Sequence, residues 1–294
     1  MITHMNFKPG PRYRLASMTR FIAVLLVFLL SVTAVIVIVA ENNESNGTAD
    51  QTAVAVTPLA MPVPEPAPSP PSIPEGKAME PVLVAIDAGH GGRDPGTISP
   101  YKDNFFEKDI TLDIAKRVQK YLDEKGIDNV LTREGDDHLN DVISRDLQLR
   151  AAVANDSGAS LFVSIHVNAY DLKYKGAAQV NGMEVYYLNK EATYENFTEE
   201  RFAQIVGDQI SEEAGIRFNG VKSRALSVLQ HTEMPAILVE TGYITNQEDH
   251  ARLESKDFRD ETALGIADGI ELALDEINAF EYDGDLYVFK EVRE

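Results

Sequence analysis

The chain has 294 residues, enough for one substantial core, and it contains no cysteine, which excludes thiol nucleophiles, Cys-ligated zinc and disulfides. Its formal charge is −20, from 27 basic and 47 acidic residues. The first forty residues hold Lys8, Arg12, Arg14 and Arg20 and no acid, so 23 basic residues face 47 acidic ones in the remainder. Such a surface repels phosphate backbones and argues against nucleic acid as a partner.

Residues 1–20 read as a basic cytoplasmic tail. The stretch FIAVLLVFLLSVTAVIVIV, residues 21–39, is nineteen residues long and uncharged. About 20 apolar residues span a bilayer as a helix. Bases precede the run and acids follow it, so the positive-inside rule leaves the N-terminus in the cytoplasm and the rest outside. We therefore expect a single-pass transmembrane signal-anchor over 21–40. Secretion after cleavage at Ala40 is the alternative, although the apolar part of a cleaved signal is normally only ~7–15 residues. Residues 41–80 are polar and then proline-dense (MPVPEPAPSPPSIPEG), the composition of a disordered, extended spacer rather than a packed element.

From residue 82 short β-rich runs alternate with helical patterns. VLVAID (82–87), NVLTR (129–133), SLFVSIH (160–166), MEVYYL (183–188) and PAILVE (235–240) read as strands. Helices are expected over 107–126, where Ile110, Ile114, Val118 and Leu122 repeat every four residues and Gly126 follows, and over 141–155, 198–215 and 260–277. This alternation predicts an α/β fold over 81–280, with a mixed, mostly parallel sheet flanked by helices. Residues 281–294 form a tail that either adds a strand or stays loose.

In open α/β sheets the site lies beyond the carboxyl ends of the strands. His90 follows the first strand, His166 ends a middle strand and Glu240 ends a late one, so all three belong on one rim. GHGGRDPG lacks the third glycine of a dinucleotide fingerprint, since Asp94 stands there, and no Gly-Lys-Ser/Thr follows. Gly-x-Ser-x-Gly and His-Glu-x-x-His are absent too. A metal site would have to be assembled from separate elements. Zinc takes a few nitrogen and oxygen ligands and, in catalytic sites, keeps one position open. His90 and His166 offer the nitrogens. Glu107 is the best-placed carboxylate, but it reads equally as a helix-start acid facing the dipole. Glu240 is either half of a structural ion pair or a proton acceptor. His138, His231 and His250 suit surface or structural roles.

The strings IDAGHGGRDPGT, FEKDITLDIAKRV, LTRE, LQLRAAVAN, SLFVSIHVNA, GMEVYYL, GVKSRALSVL and MPAILVETGYITNQED occur in this order. Together, over about residues 82–275, they resemble the zinc-dependent N-acetylmuramoyl-L-alanine amidases of bacterial cell walls, the type-3 amidase family. The resemblance implies a mixed sheet flanked by helices, one Zn²⁺ held by His90, Glu107 and His166, and Glu240 as the catalytic acid–base. The implied reaction is hydrolysis of the amide between the lactyl group of N-acetylmuramic acid and L-alanine of the stem peptide. The implied partners are peptidoglycan or its muropeptides. No residue identifies a protein activator.

Two departures stand out. Ala88 occupies a position where many members have proline, and Asn219 one where arginine is common, which weakens contact with an anionic muropeptide. Some relatives carry an inhibitory helical insert after the EVYYL strand, and the short connection here predicts none. A different zinc hydrolase of wall peptides, a carboxypeptidase or deacetylase, is the alternative enzyme. A non-catalytic wall-binding module would be expected to have lost at least one of the four site residues.

Overall fold

We describe residues 71–292 of a computed structural model of the chain. The basic tail, the expected anchor over 21–40 and most of the spacer fall outside the described residues. Among the described residues no helix is long and apolar enough to cross a membrane.

The strands are β1 (Lys77–Pro81), β2 (Val84–Ala88), β3 (Asn129–Leu131), β4 (Leu161–Asn168), β5 (Met183–Tyr187), β6 (Phe218–Ser223), β7 (Ala236–Tyr243), β8 (Phe280–Tyr282) and β9 (Asp285–Glu291). The helices are α1 (Glu107–Glu124), α2 (Ile143–Asp156), α3 (Glu199–Ala214), α4 (Ser227–Gln230), α5 (Gln247–Glu254) and α6 (Lys256–Glu276). Six strands form one sheet in the order β3-β2-β4-β7-β5-β6. All neighbours run parallel except β5 and β7, so the sheet is mixed and mostly parallel, as the alternation predicts.

Side chains alternate across a strand, and here the alternation divides the labour. Val163, Ile165, Ile237, Val239, Met183 and Val185 face the main core with Ile110, Ile114 and Val118 of α1, Phe202 and Val206 of α3, and Ile266 and Ile270 of α6. Burial of each such side chain contributes ~1.5–3 kcal/mol. The opposite face has a smaller core, where Phe162, Ala236, Leu238 and Tyr186 meet Ala154 of α2 and Val228 and Leu229 of α4. Helix α4 is only four residues long, so this face is thinly covered and its strand ends stay open.

The spacer boundary moves. The expected 80/81 division cuts through β1, which pairs antiparallel with β9 of the tail, Lys77 opposite Glu291 and Pro81 opposite Tyr287. With β8 these strands make a separate three-stranded sheet in the order β1-β9-β8. Val288 is fully buried and joins the main core, so the tail is a packed strand. Sequence periodicity signalled neither β6 nor β1, because both are half-exposed throughout and carry no apolar run.

Candidate metal centre

His90 lies two residues past the end of β2 and takes a left-handed backbone, φ 63°, which is uncommon for a residue with a Cβ. Gly91, Gly92 and Gly96 of the same loop also take positive φ, at 129°, 57° and 65°. The neighbouring glycines supply clearance. A Cβ on Gly89 would stand 2.5 Å from Cε1 and Nε2 of His166 and 2.8 Å from the Ile165 carbonyl oxygen. A Cβ on Gly96 would stand 2.6 Å from Glu107 Oε2.

Three ligand-capable atoms, one each from His90, Glu107 and His166, lie within 4.8 Å of one another. Glu107 Oε1 is 3.2 Å from His90 Nε2 and 3.0 Å from His166 Nδ1. The Val167 amide donates to the same oxygen at 2.9 Å, and the Thr97 amide donates to Oε2 at 2.7 Å. Glu107 is the first residue of α1 and is only 2% exposed, so its position at a helix start is put to use over the rim. His90 Nδ1 pairs with Asp94 Oδ2 at 2.8 Å, which orients the ring and leaves Nε2 aimed at the cluster.

The electrostatics show what the cluster accepts. Burial opposes a charge on His90, but the hydrogen bond and charge of Glu107, with those of Asp94, overcome it and push the imidazole up to about 9. Burial likewise disfavours ionised Glu107, yet hydrogen bonds from His166 and His90 hold it well below the usual carboxylate range. Positive charge is therefore favoured at the centre of the three side chains. Two imidazole nitrogens and one carboxylate form a donor set suited to a divalent transition metal with an open position.

Glu240 sits opposite His166 across β4 and β7 and opposite Glu184 across β5 and β7, so the three side chains share one row on the thinly covered face. Its Oε2 is buried with no hydrogen-bond partner, which removes the structural ion pair as an explanation. Burial, opposed by the charge of His166, pushes this carboxyl up to about 7. Glu184 is buried but satisfied: it accepts from Tyr186 at 2.6 Å, from Tyr243 at 3.1 Å and from Lys222 at 2.5 Å. Only the orphaned acid of the row is free for chemistry.

A cleft of about 550 Å³ opens beside the cluster. His90, His166 and Asp94 line it, and Ile143 and Leu147 of α2 and Leu226 and Val228 beside and within α4 supply apolar walls. The connection from β5 to α3, residues 188–198, holds one isolated bridge and no helix. Asn219, at the position of the expected arginine, bonds the Asn181 carbonyl at 2.6 Å.

The chain matches the family model described as N-acetylmuramoyl-L-alanine amidase over residues 84–272. It belongs to that family. Residues 84–272 are thus an N-acetylmuramoyl-L-alanine amidase domain. Among its relatives is the N-acetylmuramoyl-L-alanine amidase LytC of Bacillus subtilis strain 168, 37% identical over 186 residues, which are 63% of this chain and 34% of that protein. The chain therefore spans about a third of the length of LytC. A second B. subtilis protein, YqiI, is 35% identical over 69% of this chain and 91% of its own length. Among solved structures, an N-acetylmuramoyl-L-alanine amidase of Nostoc punctiforme matches with TM-score 0.57 and 37% identity, over 66% of this chain and 97% of the other. The CwlD amidase of Clostridioides difficile, solved in complex with the GerS lipoprotein, matches with TM-score 0.59 and 25% identity, over 66% and 99%. The family match, 84–272, excludes β1, β8 and β9.

Around the cluster lies a support that the sequence reading passed over. Asp87 is 1% exposed inside β2 and accepts from Thr132, Ser164 and Arg150 at 2.6, 2.6 and 2.9 Å. Arg150 also donates to the carbonyls of Ala88 (2.7 Å) and His90 (2.6 Å) and to Asp146 (2.6 Å). Arg133 donates to the carbonyls of Ala88, Gly89 and Lys108 at 2.8, 3.1 and 2.7 Å. Two guanidinium forks thus hold the backbone that carries His90. The signal was the charged Asp87 within VLVAID, a strand with no other polar residue. His250 lies on a polar helix segment for which a surface or a structural role was expected, and the structure gives it the structural one. It is buried, 2.7 Å from Ser99 Oγ and packed against Tyr101 and Phe105.

Proposed function

We propose that the chain is a zinc-dependent N-acetylmuramoyl-L-alanine amidase with His90, Glu107 and His166 as metal ligands and Glu240 as its general base and acid. The observation that carries the reading is the row of His166 and Glu240, in which a metal-competent imidazole adjoins a buried carboxyl oxygen that nothing else uses.

When bound, the metal supplies Lewis-acid polarisation of the scissile carbonyl and acidifies the attacking water. Glu240 Oε2 accepts a proton from that water, and burial, which favours the neutral acid, readies it to return the proton to the leaving alanine nitrogen. Asp94 keeps His90 in one tautomer, and the Thr97 and Val167 amides hold Glu107 fixed. The apolar walls of the cleft exclude water around the bound peptide.

The uncharged N-terminal run and the proline-rich spacer support a membrane-tethered enzyme whose catalytic domain lies outside the cell and acts on peptidoglycan. The test is mass spectrometry of peptidoglycan digested by the full chain, with and without chelator. The expected product is intact stem peptide with a free N-terminal alanine, lost on chelation and restored by Zn²⁺. Shortened stem peptides would indicate a carboxypeptidase, and released acetate a deacetylase.

A further inference from the structure

We propose that an exposed aromatic strip beside the metal centre, formed by Ile98, Tyr101, Tyr170 and Tyr174, binds the glycan strand of the substrate. This rests on the amidase reading and adds to it a place for the sugar polymer. The four side chains are 56%, 41%, 45% and 57% exposed, large values for apolar and aromatic groups in so acidic a protein. They come from two loops that each adjoin a ligand. One leads into Glu107, and the other leaves β4 just after His166.

The loops are built as one surface. The Tyr170 amide donates to Thr245 Oγ1 at 2.9 Å and the Tyr101 hydroxyl donates to the Thr245 carbonyl at 2.7 Å, so one residue ties the backbone at Tyr170 and the ring of Tyr101. Thr97, next to Ile98, donates through its hydroxyl to the Val167 carbonyl. The rings of Tyr170 and Tyr174 meet edge to face with centroids 6.4 Å apart. Lys173 lies over the Tyr174 ring at 5.0 Å. The two loops and the Tyr101 ring are thus held together before any partner arrives, which lowers the cost of ordering the surface.

Chemistry selects the occupant. The scissile amide joins a sugar polymer to a peptide, so the two halves must leave the metal in different directions. The cleft, over α2 and α4, is concave and apolar-walled and suits a short peptide. The strip belongs to the other side of the rim, where Tyr101 packs on His250 of α5, and it is open. Pyranose rings present apolar C–H faces that stack on tyrosines, and an open strip accommodates a long strand.

The test uses the full chain and the exchanges Tyr170→Ala with Tyr174→Ala, and Tyr174→Phe alone. Two measurements are made: kcat/KM on polymeric peptidoglycan relative to a one-sugar muramoyl-peptide, and retention on glycan strands stripped of their peptides, which needs no catalysis. We expect the double alanine variant to lose roughly tenfold in the polymer-to-monomer ratio and its retention on bare glycan, and Tyr174→Phe to keep both. Equal losses on both substrates, or bare-glycan retention unchanged by the double substitution, would overturn the proposal. Unaltered polymer cleavage would do the same and leave the strip to a protein partner. If the wild-type chain released no peptide from either substrate, the amidase reading would fail, and bare-glycan retention would still decide the strip.

Discussion

Replacing Arg150 by methionine separates the support of the metal centre from the metal centre itself. Methionine keeps much of the arginine stem but removes five donors. In the folded chain those donors satisfy Asp87, Asp146 and the carbonyls of Ala88 and His90, all within 2.9 Å. Breaking one partner of a buried ion pair costs about 3–5 kcal/mol. A second route gives a comparable figure. Burial pushes the Asp87 carboxyl up, but Arg150, then Ser164 and Thr132, bring it down from 3.8 to about 2, which is worth about 2 kcal/mol. The two orphaned carbonyls add to that. We expect Arg150→Met to lose about 3–5 kcal/mol in urea unfolding at pH 7. The pH dependence carries the sharper test. A carboxyl lowered in the folded state stabilises fully above its unfolded value and loses that contribution as pH falls through the folded one. The wild-type chain should therefore shed the Asp87 contribution between about pH 4 and pH 2, and the variant, which keeps only the Ser164 and Thr132 bonds, should shed less. The stability gap should narrow on acidification. A gap below 0.5 kcal/mol at pH 7, on the order of an ordinary surface substitution, or a gap that widens toward pH 2, would refute the reasoning.

Four further outcomes follow from the site. Glu240→Gln should retain bound zinc, measured by atomic absorption, while kcat falls by about 10²–10⁴, the usual contribution of a general base. Gly89→Ala should release the metal while the main core stays folded, because the added methyl meets the His166 ring at 2.5 Å; circular dichroism and metal content together check this. Metal affinity should fall as pH drops, with protons released on binding in calorimetry, because His90 without metal is pushed up to about 9 and must be deprotonated to ligate. Burial pushes Glu240 up to about 7 and a bound dication draws it down, so the acid limb of kcat/KM should lie at or below pH 7; a limb above pH 8 would contradict the assignment of the base.

Much of the fold was legible because it is written in apolar periodicity. The five strands and four helices read from the sequence all exist, with ends displaced by a few residues. The helix ending at Glu276 starts earlier, at Lys256, where the Ser255 hydroxyl caps it. The elements that escaped have no such periodicity. Strand β6 is half-exposed, α4 is a single turn, and β1 is recognisable only through its pairing with β9, more than 200 residues away. At the site, His166 and Glu240 stood out because polar residues that end apolar runs are costly and conspicuous, and His90 because it follows the first strand, whereas Glu107 read equally as a helix-start acid and was singled out by the family resemblance. Arg133 and Arg150 escaped because one closes an ordinary strand pattern, NVLTR, and the other sits in an ordinary helical one. Their partners are mostly backbone carbonyls, which have no signature in the sequence.

The division between the two faces of the sheet explains why the chemistry is where it is. On β4, Val163, Ile165 and Val167 are committed to the main core beneath α1, α3 and α6, and a polar group among them would be buried without partners. The intervening positions, Ser164 and His166, point to the other face, where Ser164 meets Asp87 and His166 meets the cluster. The same alternation on β7 gives Val239 to the core and Glu240 to the site, and on β5 gives Val185 to the core and Glu184 to its tyrosines and Lys222. A one-residue slip of β7 would exchange Val239 and Glu240, burying a carboxylate beneath three helices and presenting valine to the His90–Glu107–His166 cluster. Register in β7 is therefore held by the hydrophobic core, and Glu240, the proposed proton acceptor, inherits its position from that constraint. Substitutions that loosen the Ile237 and Val239 layer of β7 should accordingly lower kcat out of proportion to their effect on metal content, since the proposed ligands come from the loop after β2, α1 and β4 while Glu240 depends on the register of β7.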